Sequence, residues 1–413
     1  MQSTTEQKSE SGLEAIDATG GLLLPSLCHS HIHLDKCYIL EKAYLKTGEF
    51  QEALKVTSEV KKTFVKNEDD LFIRGDRLIR ESVLTGVTVM RAHVEVDSTV
   101  LHTCLQAGIK LKEHWNYACD VQLCAFMQDP LINRGDKGDN MKLFEEALIG
   151  NLKCISAIGS APYVESSRSQ QLENINFILD LATSHGLHVD FHLDYDLVPL
   201  PDSNDSETSP LIYYLIEELH RRNWTASKKT VSIGHATRIS LFSPSQLHDL
   251  RERIGNLPIH FIGLPQSDLY MMGRNHNGCS SSPRGTLNVC TLKRDYQFNI
   301  SISVNNVGNA FTPQGTPDPL SLCPLGVAIY QDCTHDGCHA LVEAISTRAK
   351  LAIGIVKSEL KDPLVPKIGH PADFVILPMN KTLQDAVTNP SYDRITIKGS
   401  RVVSWRKTES WMN

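Results

Sequence analysis

The sequence of 413 residues lacks several features that would mark particular classes of protein. No apolar run reaches the roughly 18 residues that a membrane-spanning helix needs, and the polar N-terminus lacks the apolar core of a secretory signal. No segment is dense in lysine and arginine, and 41 basic side chains against 48 acidic ones give a net charge of −7. This balance argues against nucleic-acid binding. We therefore expect neither a nucleic acid nor a membrane as a partner.

Cysteine pairs with metal-binding spacing are also missing, although the chain has 11 cysteines. No CxxC pair occurs, so a cysteine-based zinc site has no support. The odd and scattered set is not typical of a disulfide scaffold and favours a reducing compartment, which predicts a cytoplasmic protein. The 17 histidines are more informative, because histidine is the commonest metal ligand and the usual acid or base near neutral pH.

Short apolar runs alternate with helical patterns along most of the chain. Nearly continuous apolar runs of this length are typical of strands that are buried on both faces of a parallel sheet. The predicted strands are Leu22–Leu27, Val87–Val94, Val121–Phe126, Ile155–Ile158, Leu187–Phe191, Val231–Ile233, Ile259–Ile262 and Ile300–Val304. The predicted helices are Asp69–Leu84, Leu101–His114, Met141–Leu148, Gln170–Ser184, Pro210–Arg222, Ser245–Ile254 and Thr286–Tyr296.

Strand and helix patterns in series predict an α/β fold, a (β/α)8 TIM barrel. An open doubly wound sheet remains the alternative on pattern alone, although no GxGxxG follows the first strand. Residues 372–378 and 395–403 predict further strands, which would form a small β module with the N-terminal residues. We therefore predict a barrel over residues 21–361 and a small, reduced β-sandwich domain from residues 1–20 and 362–413.

Histidines recur at the ends of predicted strands, where the catalytic residues of a parallel barrel lie. His31 and His33 are two residues apart, so both side chains can point into the barrel mouth. His192, after the fifth predicted strand, would supply a third nitrogen ligand from across the barrel. Three protein ligands with an open fourth position are the pattern of a catalytic zinc site. We predict a divalent metal, zinc or iron, on His31, His33 and His192.

Each of these residues also has a structural interpretation. An HxH pair in a strand can be purely structural, but His192 and His235 at later strand ends favour the metal site. His93 is either a hydrogen-bonded core residue or a substrate-binding residue of the pocket, and the sequence leaves both open. Asp194 and Tyr195 could either orient His192 or take part in catalysis.

Motifs with these residues occur in a fixed order: HIHLDK at 31–36, RAHVEV at 91–96, CAFMQD at 124–129, HLD at 192–194, IGHAT at 233–237 and GHPADFVILP at 369–378. With them, the sequence resembles the amidohydrolase superfamily, and within it the cytosine deaminase-like branch of metal-dependent hydrolases. The resemblance implies a TIM barrel with a small β-sandwich from both termini, and metal ligation by His31, His33 and His192. It also implies that His235 hydrogen-bonds the substrate or the attacking water and that Gln128 binds a ring amide. The resemblance is also compatible with assembly of the protein into a homo-oligomer.

Two positions depart from the family pattern. Asn305 stands where the family has a strand-eight aspartate that binds the metal and takes the proton of water. An amide oxygen can coordinate a cation but cannot act as a base near neutral pH. Tyr195 stands where the deaminases have a proton-shuttling glutamate, and an unperturbed pKa of about 10 suits a proton donor better than a base. Proton transfer would then fall to His235, or to Asp194 or Asp196.

Three functions are compatible with this sequence. The leading hypothesis is a metal-dependent amidohydrolase or deaminase that acts on a C–N bond of a cyclic amide, amidine or amino-heterocycle. His235 would polarise this small-molecule substrate, and Gln128 and Asn306 would hydrogen-bond it. The alternative is a non-hydrolytic cyclase, isomerase or lyase on the same barrel, because Asn305 and Tyr195 replace both family carboxylates. The third is a non-catalytic binding protein, in which histidines at several strand ends would have no obvious purpose.

Overall fold

Eight strands form one parallel sheet in the computed structural model of the chain, which describes residues 7–8, 14–132, 139–200, 207–274, 285–358 and 361–412. The strands lie side by side in chain order, and we number them as the first to the eighth barrel strand. Their bounds are Leu27–His33, Val87–Glu95, Asp120–Met127, Ile155–Ser160, His188–Leu193, Val231–His235, Ile259–Gly263 and Ile300–Ile302.

The sheet closes into a barrel between its first and eighth strands. Ile32 pairs in parallel with Asn305 just beyond the eighth strand, and the His33 amide donates a hydrogen bond to the Asn305 carbonyl at 2.9 Å. All residues of the first two strands are buried, as expected for strands between a packed barrel interior and outer helices. The predicted (β/α)8 barrel is therefore confirmed, and the open-sheet alternative is wrong because the two edge strands meet.

Helices connect the barrel strands, and many begin at a polar cap. Asn67, Ser167 and Ser243 each accept a hydrogen bond from a backbone amide in the first turn of the helix that follows, which satisfies a free N–H group there. Every predicted helix is present, with ends that shift by up to three residues. None of the described helices has the length and apolar character needed to cross a membrane. The α-helices are Phe50–Lys61, Glu68–Leu84, Thr103–Trp115, Asn140–Asn151, Arg168–His185, Leu211–Arg221, Pro244–Ile254, Pro265–Met271, Val289–Tyr296, Leu322–Tyr330, His335–Ala344, Thr347–Ala352 and Leu383–Thr388.

A separate antiparallel sheet of four strands contains both N-terminal and C-terminal residues. Its strands are Leu22–Pro25, Phe374–Leu377, Arg394–Lys398 and Arg401–Arg406. The sequence predicts one barrel strand over Leu22–Leu27, but the structure divides this run at Ser26. Leu22–Pro25 pairs with Phe374–Leu377, and the barrel begins at Leu27. An apolar run does not reveal this change of sheet, because both halves are equally suited to a strand.

The predicted small module is thus present, and most of its strands come from the C-terminus. The predicted domain limits at residues 20 and 361 remain a prediction, although Leu22–Pro25 belongs by its pairing to the small sheet. Gln7–Lys8 pairs with Glu14–Ala15 in a short two-stranded sheet. The rest of residues 1–13 lies outside the described residues.

A buried ion pair attaches the small sheet to the barrel region. The Arg394 guanidinium donates hydrogen bonds to both carboxylate oxygens of Asp318 at 2.7 Å. It also donates to the carbonyl oxygen of Thr85 at 2.8 Å, in the turn before the second barrel strand. Because Arg394 is only 2% exposed, this bidentate pair fixes the position of the third strand of the small sheet.

Candidate metal centre and active-site pocket

The structure places most of the predicted site residues around one pocket at the C-terminal ends of the barrel strands. These are His33, Gln128, His192, Tyr195, His235, Asn305 and Asn306. The pocket is completed by four residues that the sequence did not single out: Lys36, Phe50, Tyr163 and Phe311. The C-terminal ends of parallel strands lie at the same end of the barrel, so residues that are far apart in the sequence meet there.

Three buried imidazoles form a nitrogen cluster beneath this pocket. Ring nitrogens of His31, His93 and His192 all lie within 4.8 Å of one another, and the Nε2 atoms of His31 and His192 are 2.9 Å apart. The predicted ligand set has His33 in place of His93. The ring centroid of His33 lies 5.3 Å from that of His31 and 5.2 Å from that of His192, so His33 is adjacent to the cluster. Its role as a ligand stays a prediction.

His93 therefore lies in the nitrogen cluster and does not line the pocket wall. It is completely buried, and its ring centroid is 3.9 Å from that of His31. The sequence predicted that His93 could contact the substrate, but His93 is not among the described residues that line the pocket. The alternation of side chains along a strand accounts for the position, because Arg91, His93 and Glu95 share one face of the second barrel strand.

Burial lowers the pKa of three histidines at the site, His31, His192 and His33, so that these imidazoles are neutral at physiological pH. Burial and the neighbouring His93 lower the pKa of His31 to about 3. Burial and the nearby His31 hold the pKa of His192 well below its usual range, and burial together with the Lys36 charge does the same for His33. A neutral imidazole keeps a free lone pair, which is the form that binds a metal.

A buried carboxylate, Asp190, lies behind two of these imidazoles. Its Oδ1 atom is 3.3 Å from His31 Nδ1 and 3.3 Å from His93 Nε2, and its Oδ2 atom is 3.3 Å from Arg91 Nη1. Burial opposes ionisation of Asp190, but its interactions with His93 and His31, which include hydrogen bonds, outweigh burial and lower the pKa. Such carboxylates commonly orient the histidine ligands of a metal.

The donor set fits a divalent transition metal. A tetrahedral ion with bonds of about 2.0–2.1 Å to nitrogen separates two ligand nitrogens by roughly 3.3 Å, and the cluster distances of 2.9 to 4.8 Å include this value. The Nδ1 atoms of His33, His93 and His192 are buried and have no hydrogen-bond partner among the described residues. Unpaired nitrogens are costly in a dry interior and favour a bound ligand.

His235 forms a buried pair with Asp268, which the sequence did not reveal. The Nδ1 atom of His235 donates to Asp268 Oδ1 at 2.8 Å. Asp268 also accepts from the Leu264 amide and the Thr286 hydroxyl, both at 3.1 Å. Burial nevertheless raises the pKa of Asp268. The hydrogen bond at Nδ1 fixes the His235 ring, and it leaves Nε2 as the nitrogen available to the pocket.

Tyr195 covers one face of His235. The two rings are stacked with centroids 3.7 Å apart and an interplanar angle of 27°. Burial and the Asp268 charge raise the pKa of Tyr195 well above its usual range, so this phenol stays protonated and is no substitute for a carboxylate base. Gln128 donates a hydrogen bond to the Tyr163 hydroxyl at 3.3 Å on another wall of the pocket.

Asn305 lies at the pocket, but its side chain is held as an amide. The Nδ2 group donates to the Ser267 hydroxyl at 2.8 Å, whereas Oδ1 is buried with no hydrogen-bond partner among the described residues. The neighbouring Asn306 accepts through Oδ1 from the Asn309 amide at 2.8 Å. An amide oxygen without a partner beside the imidazoles could bind a cation or a substrate donor.

Asp194 does not face the pocket. Its carboxylate accepts hydrogen bonds from the backbone amides of Leu211 and Ile212 at 2.7 and 3.0 Å, at the start of a helix. Burial raises the pKa of Asp194 to about 6 in spite of these bonds. The structure thus gives this residue a helix-capping contact, and the described pocket contains no atom of Asp194.

Lys36 brings a buried positive charge to the pocket wall. Its Nζ atom lies 2.6 Å from Glu95 Oε1, and the second Glu95 oxygen lies 2.5 Å from Lys61 Nζ. Burial opposes the charge on Glu95, but these two lysines lower its pKa to about 2. The HIHLDK and RAHVEV motifs contain Lys36 and Glu95, and the two-residue spacing of Glu95 from His93 was the available signal.

The lining of the pocket contains no carboxylate among the described residues. The buried carboxylates instead contact a histidine or a lysine of the site. The pairs are Asp190 with His93, Asp268 with His235, and Glu95 with Lys36. The acids therefore act on the site through imidazole or ammonium groups. This arrangement suits metal binding and proton transfer by histidine.

Comparisons with known proteins agree with this architecture, although no family model matches the chain. The chain is 22% identical over 398 residues to a pterin deaminase of Rhizobium rhizogenes, and the match covers 95% of this chain and 82% of that protein. It is 23% identical over 198 residues to an N-isopropylammelide isopropyl amidohydrolase of a Pseudomonas species, covering 44% of each.

A solved structure of 5-methylcytosine deaminase from Klebsiella pneumoniae, liganded with 5-fluorocytosine, superimposes with a TM-score of 0.82. It is 22% identical and covers all of this chain and 92% of its own. An N-isopropylammelide isopropylaminohydrolase from Burkholderia multivorans gives a TM-score of 0.72 at 18% identity, with 94% and 88% of the two chains covered. In its barrel and its ordered motifs, the chain is similar to these deaminases and amidohydrolases.

Proposed function

We propose that this protein is a metal-dependent hydrolase that cleaves an exocyclic C–N bond of an amino-substituted nitrogen heterocycle. Water would add its oxygen to the ring carbon, and ammonia or an amine would leave. The observation that carries the proposal is the convergence of three buried imidazoles beside a pocket that also holds the His235–Asp268 pair. The names of the relatives, a pterin deaminase and an amidohydrolase, support the same class of reaction.

His31, His93 and His192 are the residues that would hold the metal, with His33 as a neighbouring donor. A bound divalent ion, which we propose to be zinc, would supply Lewis acidity for the activation of water. The nitrogen donors are neutral, so they do not reduce the positive charge of the ion. Asp190 would fix the orientation of His31 and His93.

The walls of the pocket suit a flat ring with polar edges. Phe50 and Tyr195 meet edge to face with ring centroids 5.4 Å apart, and Tyr163 lies 5.9 Å from Tyr195. Aromatic rings at these separations form an apolar slot for a planar ligand. Gln128 and Asn306 add amide groups, which could hydrogen-bond the ring nitrogens and carbonyls of a heterocycle.

His235 is the group best placed to transfer protons. Its Nδ1 atom is bonded to Asp268, which stabilises the protonated ring after Nε2 has taken a proton. Asn305 cannot fill this role, and Asp194 is bonded to a helix start. Lys36 would place an ammonium donor beside negative charge that develops on the substrate.

The test is to load the purified full chain with zinc and assay a panel that includes a pterin, 5-methylcytosine and N-isopropylammelide. We expect release of ammonia or amine from at least one amino-heterocycle and loss of this activity in His192→Ala. The matched control is His248→Ala, because His248 is exposed on a helix away from the pocket. Binding of less than about 0.1 equivalent of any transition metal would contradict the proposal.

A non-hydrolytic reaction on the same scaffold remains the second candidate. The observation that favours it is the pocket lining, which has no carboxylate among the described residues. Such an enzyme would turn over its substrate without metal, and abolition of activity by a chelator would count against it. The Asn305→Asp variant distinguishes the hydrolytic from the non-hydrolytic function. A gain in C–N hydrolysis would support a weakened hydrolytic site, whereas a loss would support adaptation of Asn305 to another reaction.

A further inference from the structure

A second cavity lies at the opposite end of the barrel from the active-site pocket. His188 begins the fifth barrel strand, Thr230 precedes the sixth, and His260 lies near the start of the seventh. These three residues line a cavity of about 680 Å³, which we call the basal cavity. His188 and His192 are four residues apart on one strand, so roughly 13 Å separates the basal cavity from the nitrogen cluster.

The basal cavity is strongly basic. Lys228, Lys229 and Lys357 line it, and its described lining contains no aspartate or glutamate. None of these three lysines forms an ion pair with a described residue. Three uncompensated ammonium groups around one cavity stand out in a chain whose net charge is −7. Like charges held together in this way repel one another, and a bound anion would relieve the repulsion.

The loop that carries two of these lysines is held in place by its own hydrogen bonds. The Trp224 indole donates to the Lys229 carbonyl at 2.9 Å, and the Ser227 hydroxyl donates to the Trp224 carbonyl at 2.7 Å. The Lys229 amide in turn donates to the Ser227 hydroxyl at 3.1 Å. Lys228 adopts a left-handed backbone conformation with φ of 58°. The backbone under the lysines is therefore set before any ligand arrives.

His188 adds a neutral donor to the cavity. Its Nδ1 atom accepts a hydrogen bond from the Thr230 amide at 2.9 Å, so the proton of the neutral ring is on Nε2. Burial, together with the positive charge of Arg91, lowers the pKa of His188 to about 3. Gly354 lies against this edge of the ring, where a side-chain carbon would come within 3.0 Å of Nε2. A side chain at position 354 would therefore clash with this edge of the ring.

We propose that the basal cavity binds a phosphate-bearing small molecule of nucleotide size. Its volume falls within the range of about 300–1,000 Å³ of small-molecule sites. Three lysines provide charge for two or more phosphate groups, and the His188 N–H supplies a neutral donor. The shared chemistry is a polyphosphate group, carried either by a nucleotide or by free pyrophosphate. The inference does not depend on the reaction catalysed at the other end of the barrel.

Isothermal titration of the full chain with ATP, pyrophosphate and inorganic phosphate tests this site. We expect saturable binding of ATP and pyrophosphate with one ligand per chain, and at least tenfold weaker binding of phosphate. Equal affinity for ATP and pyrophosphate would identify the polyphosphate as the recognised group, whereas tighter ATP binding would identify a nucleotide. Binding should weaken when salt is raised, because the contacts are ionic.

Variants locate the binding. Lys228→Ala/Lys229→Ala should weaken ATP binding at least tenfold, and Lys357→Ala, on a separate segment, provides a second test if the double variant does not fold. The control is Lys62→Ala/Lys142→Ala, which removes two exposed lysines elsewhere. No saturable binding by the native chain, or undiminished binding by both cavity variants, would overturn the proposal.

Discussion

Replacement of Asp190 by asparagine tests the role of the carboxylate behind the nitrogen cluster. Asp190 is completely buried, and its two oxygens face His31, His93 and Arg91 at 3.3 Å each. The Asp190→Asn change keeps the shape of the side chain but removes its negative charge. The imidazoles lose the group that orients them, and the buried guanidinium of Arg91 loses its counter-ion.

Two separate losses are expected in Asp190→Asn. A carboxylate behind histidine ligands typically contributes 10–100-fold to metal affinity, so zinc affinity should fall by about 1.4–2.7 kcal/mol. Removing one partner of a buried ion pair costs about 3–5 kcal/mol of unfolding free energy. Arg91 retains hydrogen bonds to the Ser232 hydroxyl at 2.9 Å and to the Ile353 carbonyl at 3.1 Å, so the loss should be near the lower end of this range.

The assay pairs zinc competition against a chromophoric chelator with urea unfolding of the chelated protein. Ser232→Ala is the matched control, because it removes a hydrogen bond to Arg91 at 2.9 Å without changing any charge near the histidines. It should cost about 1 kcal/mol of unfolding free energy and leave zinc affinity unchanged. If Asp190→Asn binds zinc within threefold of the native chain, the proposed orienting role of Asp190 is refuted.

Three further changes test other parts of the structure. Asp268→Asn should lower kcat/KM of the proposed hydrolysis at least about 100-fold by removing the negative charge beside the proton-transferring histidine, whereas the exposed control Asp249→Asn should retain activity. Arg394→Met should lower the unfolding free energy in urea by about 3–5 kcal/mol, since it leaves a buried carboxylate without its partner. Hydrogen bonds from the Lys46 amide and its neighbours lower the pKa of Glu52 to about 2. The stabilisation from Glu52 is therefore complete above about pH 4.5 and lost as the pH falls towards 2. In Glu52→Gln, the temperature of thermal unfolding should fall less steeply between these pH values than in the native chain. An equally steep fall would contradict this assignment.

Local sequence patterns determined the fold class and much of the pocket. Continuous apolar runs mark strands buried on both faces, so the alternation of strands and helices predicted the barrel. Because side chains alternate along a strand, the sequence also predicted that His31 and His33 point to the same side. His192, His235 and Asn305 follow predicted strands, and the structure places all three at one pocket. These inferences succeeded because burial and side-chain direction depend on neighbouring residues in the chain.

Only the tertiary structure decided which side chains meet. Asp268 follows the seventh strand, and its pairing with His235 required the helix after that strand to pack beside the sixth. His93 lies in the nitrogen cluster because the second strand pairs with the first, and barrel closure brings His192 of the fifth strand close to both. The change of sheet at Ser26 depended on partners more than 340 residues away, in the strand Phe374–Leu377. Distances of this kind follow from sheet closure and helix packing, which involve parts of the chain far apart in sequence and leave no periodic signal in it.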